Sequence, residues 1–126
     1  MKIAVITPVR HLNGIVDLLQ SKGDVVFYET ASKEKVRELL LQTTIDTLVC
    51  NPNQQTYKID KELLEGTNVK LINTCSTGMN HIDQKYCKEN NIEIYSLTCD
   101  MDLINNLPST SELAFGLMLS LLRNIP

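Results

Sequence analysis

The residues able to do chemistry gather in one stretch, Asn73 to Asp83, which reads NTCSTGMNHID. It follows an apolar run and leads into a helix-like pattern, so Ser76, Thr77 and Gly78 stand on a strand-to-helix turn. A turn of this composition can aim consecutive backbone N–H groups outward, and such a nest takes a carboxylate or phosphate. Gly78 would let the anion approach the backbone closely. His81 and Asp83 have the residue types of an acid–base couple. At the start of a helix, a local hydrogen bond or cap is the expected use. His11 lies near the start of the first helix with no obvious partner. The cysteines are Cys50, Cys75, Cys87 and Cys99, and no pair has C-x-x-C spacing, which argues against zinc or a thioredoxin-like site. They read as reduced thiols of a cytoplasmic protein, packed in or near a core, with Cys50, Cys75 and Cys99 close to strand ends.

Five apolar runs must position this stretch: Lys2 to Thr7, Asp24 to Glu29, Asp46 to Asn51, Val69 to Thr74 and Ile92 to Leu97. Helical patterns separate them. Leu12, Ile15, Val16 and Leu19 form the stripe of the first helix, with Gly23 as its C-terminal glycine. Ser32 is the expected N-cap of the second, whose inner face is Val36, Leu39 and Leu40. After the polar loop PNQQTYKI, Asp60 caps a one-to-two-turn helix closed by Gly66. His81 to Asn90 reads as a fourth helix with Ile82 and Tyr86 inward, and a loop follows the fifth strand. Strands alternating with helices predict a doubly wound parallel sheet, flavodoxin-like in α/β class, with order 2-1-3-4-5. In such sheets ligands sit at the carboxyl ends of the strands, which is where CSTGMN falls.

The last segment, STSELAFGLMLSLLRNIP, opens with Ser109 and Glu112 at capping-box spacing and is ended by Pro126. Its apolar residues from Leu113 to Leu122 cover about two thirds of the helix circumference at 100° per residue. That is wider than a surface helix of a small domain needs, so the excess face is expected to meet another domain or chain.

Composition and motifs remove several function classes. The 126 residues fit one domain, and a net charge of −3 without a Lys/Arg cluster argues against nucleic acid. The longest apolar stretch is too short for a bilayer, and MKIAVITPVR reads as a first strand rather than a signal peptide. Of the five glycines no two form G-x-G, and the loop TPVRHLNG after the first strand is no phosphate cradle. Dinucleotide binding by this chain alone is therefore not expected. Thr7 and Asn51 stand where a receiver domain needs acidic residues, and the hydroxyl- and glycine-rich phosphate loop of a flavodoxin is missing.

INTCSTGMNHID resembles the N-terminal substrate-binding part of the D-isomer-specific 2-hydroxyacid dehydrogenases. Ser76, Gly78, Asn80, His81, Ile82 and Asp83 match the family's S-x-G-x-D/N-H/N-[IV]-D. Glu112, Leu119 and Arg123 match its helix leading into the NAD-binding domain. The resemblance implies a substrate carboxylate held by the backbone N–H groups of Thr77 and Gly78, beside Ser76, with Asn106 near substrate and nicotinamide. Asn51 and Pro52 replace an Arg-Ser pair that often faces substrate after strand three. The catalytic Arg, Glu and His of the family, and its G-x-G-x-x-G, have no counterpart here, so no catalytic residue is assigned and NAD belongs to the full-length enzyme. The expected layout is a substrate-binding domain over 1–107 and an interdomain or dimerisation helix over 108–126, the NAD-binding domain being absent. The expected partners are a small 2-hydroxy or 2-oxo acid, the missing domain and a second copy through the Leu113–Leu122 helix. The alternative is a non-enzymatic flavodoxin-like interaction module.

Overall fold

The computed structural model describes residues 1–52 and 57–125. Part of the loop expected after strand three, and the role of Pro126 in ending the last helix, lie outside the described residues.

Five strands, β1 (Lys2–Val5), β2 (Asp24–Phe27), β3 (Thr47–Cys50), β4 (Leu71–Thr74) and β5 (Glu93–Tyr95), pair in parallel in the order β2-β1-β3-β4-β5. The register sets Cys50 beside Thr74, so the ends of β3 and β4 open at one level of the rim. The strands are shorter than the apolar runs that predict them. Among the described residues six α-helices connect and follow them: α1 (Ile15–Lys22), α2 (Lys33–Gln42), α3 (Lys61–Leu64), α4 (Gln84–Glu89), α5 (Met101–Asn105) and α6 (Ser109–Arg123).

Side-chain alternation along the strands divides the core in two. Ala4, Ile6, Leu48, Cys50 and Ile72 pack with Val36 and Leu40 of α2, Leu63 and Leu64 of α3, and Cys87 of α4. Leu39 and Tyr86 lie half-buried against this cluster, as the sequence predicts. On the other face Ile3, Val5, Val9 and Val49 meet Ile15 and Leu19 of α1. That face continues over Leu71 and Asn73 as a cavity of about 290 Å³ beside α1.

Several local expectations are corrected. Leu12 is exposed and precedes α1, because left-handed Gly14 (φ 77°) holds the N-cap and starts the helix at Ile15. Gly23 follows α1 in extended conformation, not as a left-handed cap. A Cβ there would lie 2.1 Å from the Met1 carbonyl oxygen, so close approach is what requires the glycine. Ser32 occupies the N-cap of α2 without a side-chain cap bond, whereas the Asp60 carboxylate accepts from Leu63 N at the start of α3. The expected loop after β5 contains a 3-10 turn at Leu97–Cys99 and α5, both too short to show a helical period.

The capping box at Ser109 does not form. Pro108 holds the N-cap position with helical φ, which draws Ser109 into the first turn where its hydroxyl cannot cap. No residue of α6 is buried. Leu121 and Leu122 are 79% and 71% exposed, and Phe115 and Leu117 are exposed as well. None of the helices formed by the described residues is long and apolar enough to cross a membrane.

Candidate functional site

The rim above β3 and β4 is built by short-range rules. β4 ends at Thr74, and Cys75 N donates to Cys50 O, carrying the pairing one residue beyond the strands. The chain then turns through Ser76, Thr77 and Gly78. The Ser76 hydroxyl donates to Gly78 O at 2.7 Å, and Ser76 O accepts from Leu97 N at 3.1 Å. Thr77 and Gly78 are exposed, and their backbone N–H groups donate to nothing among the described residues. The backbone at Gly78 is not left-handed, and a Cβ built there meets nothing within 4 Å. Neither conformation nor internal packing therefore calls for glycine at this position. Room for an external group beside the backbone is the property that glycine supplies.

Of the other residues singled out in the sequence, Asn51 joins the turn, its Nδ2 donating to Cys75 O at 3.5 Å. Asn106 follows α5, is exposed, and donates Nδ2 to Asp102 O at 2.8 Å; no hydrogen bond links it to Ser76, Thr77 or Gly78.

His81 does not pair with Asp83. The Asp83 carboxylate caps α4 by accepting from Tyr86 N at 3.0 Å, which starts that helix at Gln84 rather than His81. Backbone bonds from Ile59 N to His81 O and from Asp83 N to Ile59 O hold His81 in place. Its Nε2 lies 3.0 Å from Thr74 Oγ1 and 3.7 Å from Cys50 Sγ. Thr74 is buried, and its hydroxyl also lies 2.8 Å from Ser76 Oγ. Sequence reasoning missed this use of Thr74 and Cys50. The one available signal was a threonine ending β4 in the alternation that also buries Ile72.

The Cys50–His81 contact is not a nucleophilic dyad. Burial pushes the Cys50 thiol up to about 12, and burial lowers the His81 pKa, so both stay neutral near pH 7. The expectation that all four cysteines pack in or near the core is half corrected. Cys50 and Cys87 are buried, while Cys75 and Cys99 lie past the strand ends on exposed turns. Among the described residues no three His, Cys, Asp or Glu side chains gather as a metal site needs.

A second cleft of about 320 Å³ lies at the end of β2, lined by Arg10, Phe27, Glu29, Thr30 and Lys35 among others. Its guanidinium is already engaged. Arg10 pairs with Glu29 at 2.9 Å and lies over the Phe27 ring, and the Arg10 hydrogen bond holds the Glu29 carboxyl below its ordinary range. An anion seeking the Arg10 guanidinium would have to displace that carboxylate, whereas no side chain among the described residues occupies the Thr77 and Gly78 N–H groups.

Residues 3–98 match the family model of the D-isomer specific 2-hydroxyacid dehydrogenase catalytic domain. The chain belongs to this family. It is 31% identical over 94 residues to erythronate-4-phosphate dehydrogenase of Porphyromonas gingivalis, covering 73% of this chain and 22% of that protein. A glyoxylate reductase from Paecilomyes thermophila superposes with TM-score 0.66 at 21% identity, over 76% of this chain and 31% of that one. The apo D-mandelate dehydrogenase of Rhodotorula graminis superposes with TM-score 0.68 at 17% identity, over 94% of this chain and 36% of that one. At such identities the superpositions show the fold. The chain thus spans about a fifth of the length of that curated relative and about a third of each solved chain.

Proposed function

We propose that this chain is the substrate-binding portion of an NAD-dependent oxidoreductase that interconverts a D-2-hydroxy acid and a 2-oxo acid. One observation carries the reading: two adjacent unpaired N–H groups, at Thr77 and Gly78, on a rim turn whose glycine nothing internal requires. Both would donate to the substrate carboxylate, with Ser76 shaping the turn and Asn51 bordering it. Asn106 would come near substrate and nicotinamide only when the cofactor domain stands beside it. Each charge-assisted bond contributes about 1.5–3 kcal/mol. Two of them span the roughly 4 kcal/mol of a millimolar Kd.

In this reading residues 1–107 form the substrate domain and 108–126 the helix that meets the NAD-binding domain and a second copy. Family membership, and a neighbour described as an NAD-dependent formate dehydrogenase in complex with NAD, support the cofactor. None of this chain's residues is assigned the transfer of hydride or proton, so the isolated chain turns nothing over. The name shared by the curated relatives makes a 2-hydroxy acid bearing a 4-phosphate the first substrate to try. A non-enzymatic interaction module is the second reading, favoured by the exposed apolar side chains of α6.

Calorimetric titration with oxalate, pyruvate and the neutral oxamide tests the proposal, alongside NADH absorbance with each 2-oxo acid. The expected result is saturable millimolar binding of the two anions, none of oxamide, and no NADH oxidation. Equal binding of oxamide, or turnover by the chain alone, would overturn it.

A further inference from the structure

We infer that His81 is a positioning residue for the substrate turn, acting through a directed chain of hydrogen bonds that ends on the Gly78 carbonyl. The inference rests on the carboxylate site proposed above for its consequence, but its geometry stands independently.

The direction follows from counting protons. Gly78 O can only accept, so the single hydroxyl proton of Ser76 is committed to it at 2.7 Å. Ser76 Oγ must then accept across its 2.8 Å contact with Thr74, which commits the Thr74 proton to Ser76. Thr74 Oγ1 is left as an acceptor facing His81 Nε2 at 3.0 Å, so the imidazole carries its proton on Nε2. Burial on both sides keeps the Cys50 thiol, 3.7 Å from Nε2, and the imidazole neutral. The opposite assignment would leave Thr74 and Ser76 with no proton between them and place an N–H at Nδ1. That atom is buried and has no hydrogen-bond partner among the described residues. Buried N–H groups left without a partner are rarer in native proteins than under-satisfied acceptors, which favours the first assignment.

The chain of bonds matters because of where it ends. Trans peptide units are planar, so fixing a carbonyl fixes the N–H on its far side. Leu97 N holds Ser76 O and thereby orients the Thr77 N–H. Ser76 Oγ holds Gly78 O and so fixes the Gly78–Met79 peptide plane. The peptide bearing the Gly78 N–H lies between these two fixed planes. His81, two residues before the Asp83 cap, thus ties the turn to the start of α4, while Cys50 and Thr74 tie it to the ends of β3 and β4.

The test compares wild type with Thr74→Val, Ser76→Ala, His81→Leu and His81→Gln in the full 126-residue chain. Long-range imidazole 1H–15N spectra give the tautomer, and 15N-HSQC spectra give the Thr77 and Gly78 amide shifts before and after oxalate. The expected results are a proton on Nε2, displaced Thr77 and Gly78 amides in the Val, Ala and Leu variants, and restoration by Gln, which again offers an N–H donor. Oxalate binding falls roughly fivefold in the three disrupted variants, the size of one lost neutral hydrogen bond. If His81→Leu does not fold, Ser76→Ala, which touches a half-exposed residue, decides alone. A proton on Nδ1, or amides unmoved by both Thr74→Val and Ser76→Ala, overturns the inference. Displaced amides in a protein whose wild type ignores oxalate would leave the positioning intact and refute the carboxylate site instead.

Discussion

Replacing Gly78 by alanine separates a glycine kept for a ligand from one kept for the fold. The backbone at Gly78 is outside the left-handed region and an added Cβ meets nothing within 4 Å, so the folded chain accepts the methyl group. The unfolded chain loses freedom, and the net effect is stabilisation of about 0.4–1 kcal/mol. In a chain of this size that raises Tm by about 2–4 °C. Binding moves the other way. A methyl group beside the Gly78 amide crowds a carboxylate oxygen held about 2.9 Å from the nitrogen. Loss of one charge-assisted bond, about 1.5–3 kcal/mol, weakens oxalate tenfold to a hundredfold. Gly23→Ala is the control, because its Cβ would lie 2.1 Å from the Met1 carbonyl oxygen and must push the first residue of the chain aside. Thermal melting and oxalate titration of both variants read the contrast. A Gly78→Ala protein that melts well below wild type, or binds oxalate as wild type does, would refute the reasoning.

Three further outcomes follow from the same structure. His81 binds its proton more weakly when folded than its ordinary value of 6.5, so the unfolded chain takes up more protons below that pH. The His81 contribution to stability is thus present above about pH 6.5 and is lost as pH falls toward the folded value; urea midpoints across pH 5 to 8 should show this and His81→Gln should flatten it. Brief alkylation at pH 7 followed by mass spectrometry should label the exposed Cys75 and Cys99 and spare Cys50, whose thiol is buried and pushed up to about 12. If α6 is a dimer surface, Leu117→Lys with Leu121→Lys should raise the dissociation constant at least about tenfold, since each buried leucine contributes roughly 1.5–3 kcal/mol. Sedimentation velocity reads this, and a wild-type chain that stays monomeric at high micromolar concentration would contradict it.

The sheet order was legible because apolar runs alternate with helical stripes, and parallel crossovers leave few topologies. Element ends were less legible, for local reasons. Gly14 and Pro108 each override a plausible pattern by their backbone preferences, moving a helix start past Leu12 in one case and ahead of the Ser109 cap in the other. The turn itself was visible in Ser76, Thr77 and Gly78, since their types suit an outward-facing nest. The support beneath it was not. Cys50 is remote in sequence from Thr74 and His81 and meets them because β3 and β4 share a register that brings Cys50 beside Thr74, whereas Thr74 and His81, seven residues apart, meet across the turn. Composition likewise placed the four cysteines together, while the structure buries Cys50 in β3 and Cys87 in α4 and exposes Cys75 on the rim turn and Cys99 in the 3-10 turn.

The most direct measurement is a 15N-HSQC titration of the chain with oxalate, with Thr77 and Gly78 assigned. The account predicts saturable shifts centred on those two amides and little change at Arg10 or Glu29 beside the second cleft. Shifts centred on that second cleft, or none at either place at high millimolar oxalate, would contradict it.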